Sequence, residues 1–135
     1  MPQTPPLQYL DVPALEPPSS PYAHVVEGGG LVCLSGQVAA DSAAGRAALG
    51  DIAGEAHAAM RQVAAALAAR GLDFTDVLRV DIHLVDLDDM RVVDPIYAGY
   101  FTGRNYPART CVEVRRLWGG SRIEVTVMAR RREAR

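Results

Sequence analysis

Two cysteines, three histidines and an all-arginine set of cations are the groups in this 135-residue sequence whose types suggest chemistry. Cys33 and Cys111 are too few for a disulfide framework. A reactive thiolate needs a neighbouring base or positive charge, and no histidine is obviously placed to activate Cys111. Cys111 therefore reads as a backbone or packing position, and Cys33 as core. His24, His57 and His83 lack metal-ligand spacing, so no metal is expected. No HExxH, CxxC, P-loop or GxGxxG run occurs. All 14 basic residues are arginine, so a Schiff base on a lysine amine is ruled out. His57 and His83 read as surface residues, one on a helix and one on the polar face of a strand.

The elements that must position any site come from one domain, because 135 residues bury a single core. Fourteen cations against 16 acids leave a net charge of -2, too little field to grip a phosphate backbone. The basic cluster Arg130, Arg131, Arg132 and Arg135 reads as a solvated tail. No apolar run nears the roughly 20 residues that span a bilayer. The proline-rich start does not have the form of a secretory signal. A cytoplasmic, cofactor-free domain without nucleic-acid or membrane partners is the expectation.

Residues 1–20 hold six prolines, which remove backbone donors and fix φ. They are expected to form an extended arm, with the domain proper over 21–135. Residues 22–27 and 31–38 read as a hairpin around Gly28, Gly29 and Gly30. Residues 39–50 read as a loop. Ile52, Ala56, Met60, Val63 and Leu67 recur at helical spacing between an N-cap at Asp51 and a terminating Gly71. Val80, Ile82 and Leu84 alternate with polar residues in a strand over 77–85. A second helical region covers 86–102, with a break at Pro95 and a fresh start capped by Asp94. Strands over 108–114 and 121–130 close the chain. The order ββ-α-β-α-ββ is that of an α+β domain, a mixed sheet with two helices on one face. Alternation puts Arg109, Cys111, Glu113, Glu124, Thr126 and Met128 on the uncovered face. That face is half polar and half apolar, which suits burial against copies of the same chain.

Several runs then resemble one family in order. They are Ser20-Pro-Tyr22-Ala-His24, Leu34-Ser35-Gly36-Gln37, Gly50-Asp51-Ile52, Asp73 to Val80, Leu84 to Met90, Tyr97 to Phe101, Tyr106 to Val114 and Arg122-Ile-Glu124-Val. Together they resemble the RidA (YjgF-type) family, also labelled endoribonuclease L-PSP, over about residues 21–130. The resemblance implies a chorismate-mutase-like fold and a homotrimer with active sites between subunits. It also implies hydrolysis of 2-iminobutanoate, 2-iminopropanoate and related enamines to 2-oxo acids and ammonia. The arginine of the family's Pro-Ala-Arg motif is Arg109, and the matched acid is Glu124.

Those residue types suit that substrate. A planar guanidinium grips a carboxylate through two parallel hydrogen bonds, a role for Arg109. A carboxylate can take a proton from water and return one to a departing amine, a role for Glu124. Backbone groups near Cys111, Ser35 and Gly36 would hold the water or the developing charge, and Tyr22 would wall the pocket. An imine is already electrophilic, so no cofactor is needed. A final hairpin pairing Val112 with Val125 would set Arg109 opposite Met128, roughly 13 Å from Glu124. The two would then meet only across a subunit boundary. His24, Asp94 and Trp118 stand where the family commonly has glutamine, asparagine and proline. Asp94 would add negative charge near an anionic substrate. The same residues also allow a non-catalytic small-carboxylate-binding or regulatory trimer, an aminomuconate- or aminoacrylate-type deaminase, or an endoribonuclease. The last is disfavoured by the neutral charge and the missing histidine pair.

Overall fold

The structure, a computed structural model, describes residues 3–133. In chain order the elements are β1 (Gln8–Leu10), β2 (Val25–Gly28), β3 (Leu31–Leu34), β4 (Gln37–Val38), α1 (Ala43–Ala47), α2 (Ile52–Ala69), β5 (Val77–Leu84), α3 (Met90–Ala98), β6 (Ala108–Glu113) and β7 (Ile123–Arg130). This is an α+β domain, as the sequence order implies. No described helix is long and apolar enough to cross a membrane.

α2 forms because its apolar stripe is complete and its C-terminal end is sharply signalled. Ala56, Met60, Val63 and Leu67 are buried in the core. Gly71 takes φ +70, which lets Leu72 donate to the Leu67 carbonyl and Gly71 to that of Ala68. Asp51 sits at the N-cap, but its side chain accepts no capping bond. Glu55 does related work from inside the first turn. Its fully buried carboxylate accepts from the Gly50 amide at 2.9 Å and the Arg122 amide at 2.8 Å. It therefore ties the start of α2 to the approach to β7.

Two local expectations are corrected. Residues 39–50 are not all loop. They hold a 3₁₀ turn (Ala39–Asp41) and α1, whose N-cap Ser42 accepts from the Gly45 amide. Five residues are too few to show a helical stripe. The second helical region is not restarted at Pro95 either. A 3₁₀ turn (Leu87–Asp89) runs into α3, and Pro95 lies inside that helix. Val93 and Tyr97 flank the proline one turn apart and are both buried. Their packing outweighs the one hydrogen bond that proline removes. Asp94 is thereby not used as a cap.

The sheet order is β1-β2-β3-β7-β5-β6, with β4 also on β7. β6 and β7 do not form the expected hairpin, because β5 lies between them. β5 pairs with β7 antiparallel and with β6 parallel. Paired residues point to the same face, so one row runs Val127, Val80, Arg109 and the next Val125, Ile82, Cys111. These rows lie under the helices. The expected open-face set is therefore split. Glu124, Thr126 and Met128 do occupy the open face, beside His83, Asp81 and Arg79. Arg109, Cys111 and Glu113 face the helices, and Thr110 and Val112 take the open side of β6.

Both chain ends pack onto this frame. β1 pairs with β2 at the sheet edge, and Val12 is buried in the core. The arginine cluster is not a solvated tail where it is described. Arg131 pairs with Glu27 at 3.0 Å, and Arg130 and Arg132 both pair with Asp76. Arg135 lies outside the described residues.

Candidate active site

Glu124 is presented by a bulge. Cys33 pairs with Met128 and Gln37 with Val125, so four steps along one strand match three along β7. The extra residue bends the chain at Ser35 and Gly36, as bulges do beside functional sites. Ser35 is fixed twice: its hydroxyl donates to the Ala23 carbonyl at 2.6 Å, and its amide to the His24 carbonyl at 3.0 Å. Its hydroxyl proton is therefore already engaged. Gly36 lies directly against the acid. A Cβ there would stand 2.8 Å from the Glu124 carboxyl carbon and 2.9 Å from Oε2.

Tyr22, Ser35, Gly36 and Glu124 line one cavity of about 330 Å³, together with Asp41 and Trp118. Burial raises the Asp41 carboxyl above its ordinary range. Burial, reinforced by the charge of Asp41, does the same to the Tyr22 phenol. The described lining holds two carboxylates and no cation. Trp118 is 67% exposed at this cavity. Its turn packs so closely on Ala40 that a Cβ at Gly119 would come within 2.4 Å of the Ala40 Cβ.

Arg109 lines a different cavity, about 350 Å³, with Asp94, Tyr97, Ala98, Tyr106 and Pro107. Its Nη1 donates to Asp94 Oδ1 at 2.8 Å, and its guanidinium carbon lies 5.0 Å from the centre of the Tyr97 ring. The other guanidinium donors make no hydrogen bond among the described residues and stay available to an anion. Burial pushes the Tyr97 phenol up to about 12, so it is a neutral donor. Its hydroxyl is buried and unpartnered among the described residues. Cys111 lies beneath, its thiol 3.1 Å from the Met90 sulfur. Burial pushes that thiol up, away from the thiolate a nucleophile needs.

The structure thus gathers the expected residues into two groups. Tyr22, Ser35, Gly36 and Glu124 stand together. Arg109, Asp94 and Cys111 stand together elsewhere. Arg109 is level with Val127 and Glu124 is three residues further along β7, with β6 and β7 separated by β5. The backbones are roughly 14 Å apart by strand geometry, and the side chains leave opposite faces. Within one chain they do not meet. Three residues go beyond the sequence reading. Asp41 and Tyr97 complete the two cavities, and His83, read as a surface residue, stands beside Glu124. The alternation of β5 placed His83 on the polar face, but its neighbour lies far off in sequence. Among the described residues, no three His, Cys, Asp or Glu side chains gather as a metal-binding group.

The fold that carries these groups is found in known proteins. The family profile described as Endoribonuclease L-PSP matches residues 14–131. The chain is 40% identical to protein DfrA of Myxococcus xanthus over 81% of this chain and 84% of that one. It is 37% identical to the human 2-iminobutanoate/2-iminopropanoate deaminase over 81% and 79% respectively. Among solved structures, the Escherichia coli YjgF gene product matches with a TM-score of 0.81 at 29% identity, covering 93% of this chain and 99% of that one. Escherichia coli TdcF with bound serine matches with a TM-score of 0.82 at 25% identity and the same coverage. A profile match over most of the chain, joined to relatives of this identity, makes the chain a member of the endoribonuclease L-PSP family, the RidA or YjgF-type proteins.

Proposed function

We propose that this protein is a cofactor-independent imine deaminase, hydrolysing 2-iminopropanoate, 2-iminobutanoate and their enamine tautomers to 2-oxo acids and ammonia. It works as a homotrimer whose sites lie between subunits. The observation that carries the reading is the incompleteness of each cavity. One holds Glu124 and Asp41 with no cation. The other holds Arg109 with no carboxylate except the one it already pairs. A 2-imino acid needs both an anchor for its carboxylate and a base beside its reacting carbon. Cyclic association of identical chains can set one subunit's Arg109 beside a neighbour's Glu124.

In such a site the free donors of Arg109 hold the carboxylate and orient the imine carbon. Glu124 takes a proton from the attacking water and returns it to the leaving nitrogen. The backbone at the Ser35–Gly36 bulge and at Cys111 steadies the water and the developing charge. The names of the human and Escherichia coli relatives support the substrate class. The test generates 2-aminoacrylate from serine with a dehydratase and follows loss of the imine. The wild-type protein should accelerate that loss, and Arg109→Ala should not. An Arg109→Ala protein as active as wild type overturns the reading.

The Arg109–Asp94 ion pair favours one rival, a trimer that binds small carboxylates without turnover. In that case 2-oxo acids bind while no imine is consumed, and the same assay separates the two.

Gly36 offers a milder probe. A methyl group there must displace the Glu124 carboxylate, whose free end can yield without unfolding the bulge. Gly36→Ala should lower kcat about 10-fold or more, because a shift near 1 Å in a catalytic group has effects of that order. The urea midpoint should stay close to wild type. A fall in stability with kcat intact would place Gly36 in the fold alone.

A further inference from the structure

The two oxygens of Glu124 have different surroundings. Oε2 leans over Gly36. Oε1 lies 4.0 Å from Nδ1 of His83, the residue paired with Glu124 across β5 and β7. That Nδ1 is buried and has no hydrogen-bond partner among the described residues. A buried ring nitrogen left unpaired is costly, and a small rotation of Glu124 brings its oxygen into bonding range. The other groups facing His83 leave this pairing free. On its own strand Arg79 and Asp81 hold each other at 3.0 Å. The open-face residues of β6 are Ala108, Thr110 and Val112, which carry no charge. On β7 Thr126 is uncharged, so Glu124 is the ionisable neighbour.

We infer that His83 is a positioning residue for Glu124 and holds the second proton that imine hydrolysis must move. This rests on the imine-deaminase reading. The ring fixes Oε1 and turns Oε2 toward the water. Water oxygen bonds to the imine carbon as the C=N π pair moves to nitrogen. One water proton passes to Oε2 and then to nitrogen. The resulting carbinolamine loses its hydroxyl proton to the Glu124–His83 pair, and its C–O bond becomes C=O. The C–N bond breaks with its electrons on nitrogen, which takes that second proton and departs as ammonia. Both water protons end on nitrogen, and the pair returns to its starting state.

Two variants test this, His83→Phe and His83→Gln, each checked for an unchanged elution volume. His83→Phe should lower kcat about 10-fold with KM within about twofold, the mark of a group acting in the transition state. His83→Gln keeps a donor for Oε1 but cannot store a proton. It should recover part of kcat, while both variants change the shape of the wild-type kcat–pH profile. An active wild type with unchanged kcat and pH profile in both variants overturns the inference and leaves the deaminase reading standing. A wild type that consumes no imine overturns both.

Discussion

Co-assembled Arg109→Ala and Glu124→Gln subunits are expected to regain imine hydrolysis that neither variant shows alone. In the proposed trimer, with Arg109 as the carboxylate anchor and Glu124 as the base, each single variant breaks every site. Arg109→Ala removes the carboxylate anchor, a charged pair of about 3 kcal/mol or more, which corresponds to at least a 100-fold loss in kcat/KM. Glu124→Gln keeps the shape and removes the base, a loss of about 100-fold or more. In a mixed trimer an intact Arg109 from one parent can face an intact Glu124 from the other. Random assembly from equal amounts makes about one quarter of the sites whole, because each head-to-tail boundary draws its two sides independently. Activity near that fraction after co-expression or joint refolding is the predicted result. A mixture as inactive as its parents would show that both groups must come from one chain. The structure weighs against that outcome, since the two side chains leave opposite faces of the sheet. The prediction does not depend on Asp94, which both parents carry.

The parts of the fold that the sequence made legible are those with an unambiguous period. α2 declares itself by four buried residues on one stripe and by Gly71. β5 and β7 alternate cleanly, and their buried faces fell where alternation put them. β6 is different. Its set Arg109, Cys111, Glu113 is more polar than Ala108, Thr110, Val112, yet the more polar set faces the helices. The local hydrophobic contrast points the wrong way. The choice of face is made by parallel pairing with β5, reached through the α3 crossover, and no local signal encodes it. Pro95 misled for a similar reason, because a tertiary contact through Val93 and Tyr97 overrode a local helix breaker. At the candidate site, family resemblance supplied residue identities, and only the sheet register sorted them into two groups. The register also set His83 beside Glu124, a contact between residues 41 positions apart. The Arg109–Asp94 pair was half legible. The sequence marks Asp94 as a charge near the pocket, yet its release from capping depends on α3 running through the proline.

Asp76→Ala is expected to be the most destabilising single change at a charged residue. The Asp76 side chain is wholly buried in front of β5, where it accepts from Arg132, Arg130 and the Asp73 amide at 2.9, 3.2 and 3.1 Å. It clamps the end of β7 and the residues after it to the start of β5. Those two strands set the register that places His83 beside Glu124. Removing the carboxylate takes the acceptor from the part-buried Asp73 amide and from two half-exposed arginines, at a cost of about 2–3 kcal/mol. Arg132, aided by Arg130 and the Asp73 amide, holds the carboxyl down to about 2. An acid held below its ordinary value stabilises the fold above that ordinary value, near pH 4, and loses the contribution as pH falls through about 2. The pH-dependent share is about 2 kcal/mol, allowing for the solvent around the arginine heads. Urea titrations of wild type and Asp76→Asn should therefore differ most at pH 7, with the gap closing between about pH 4 and pH 2. A gap that stays constant to pH 2 would show that the carboxylate charge contributes nothing there, leaving shape and the Asp73 bond as the source of the clamp.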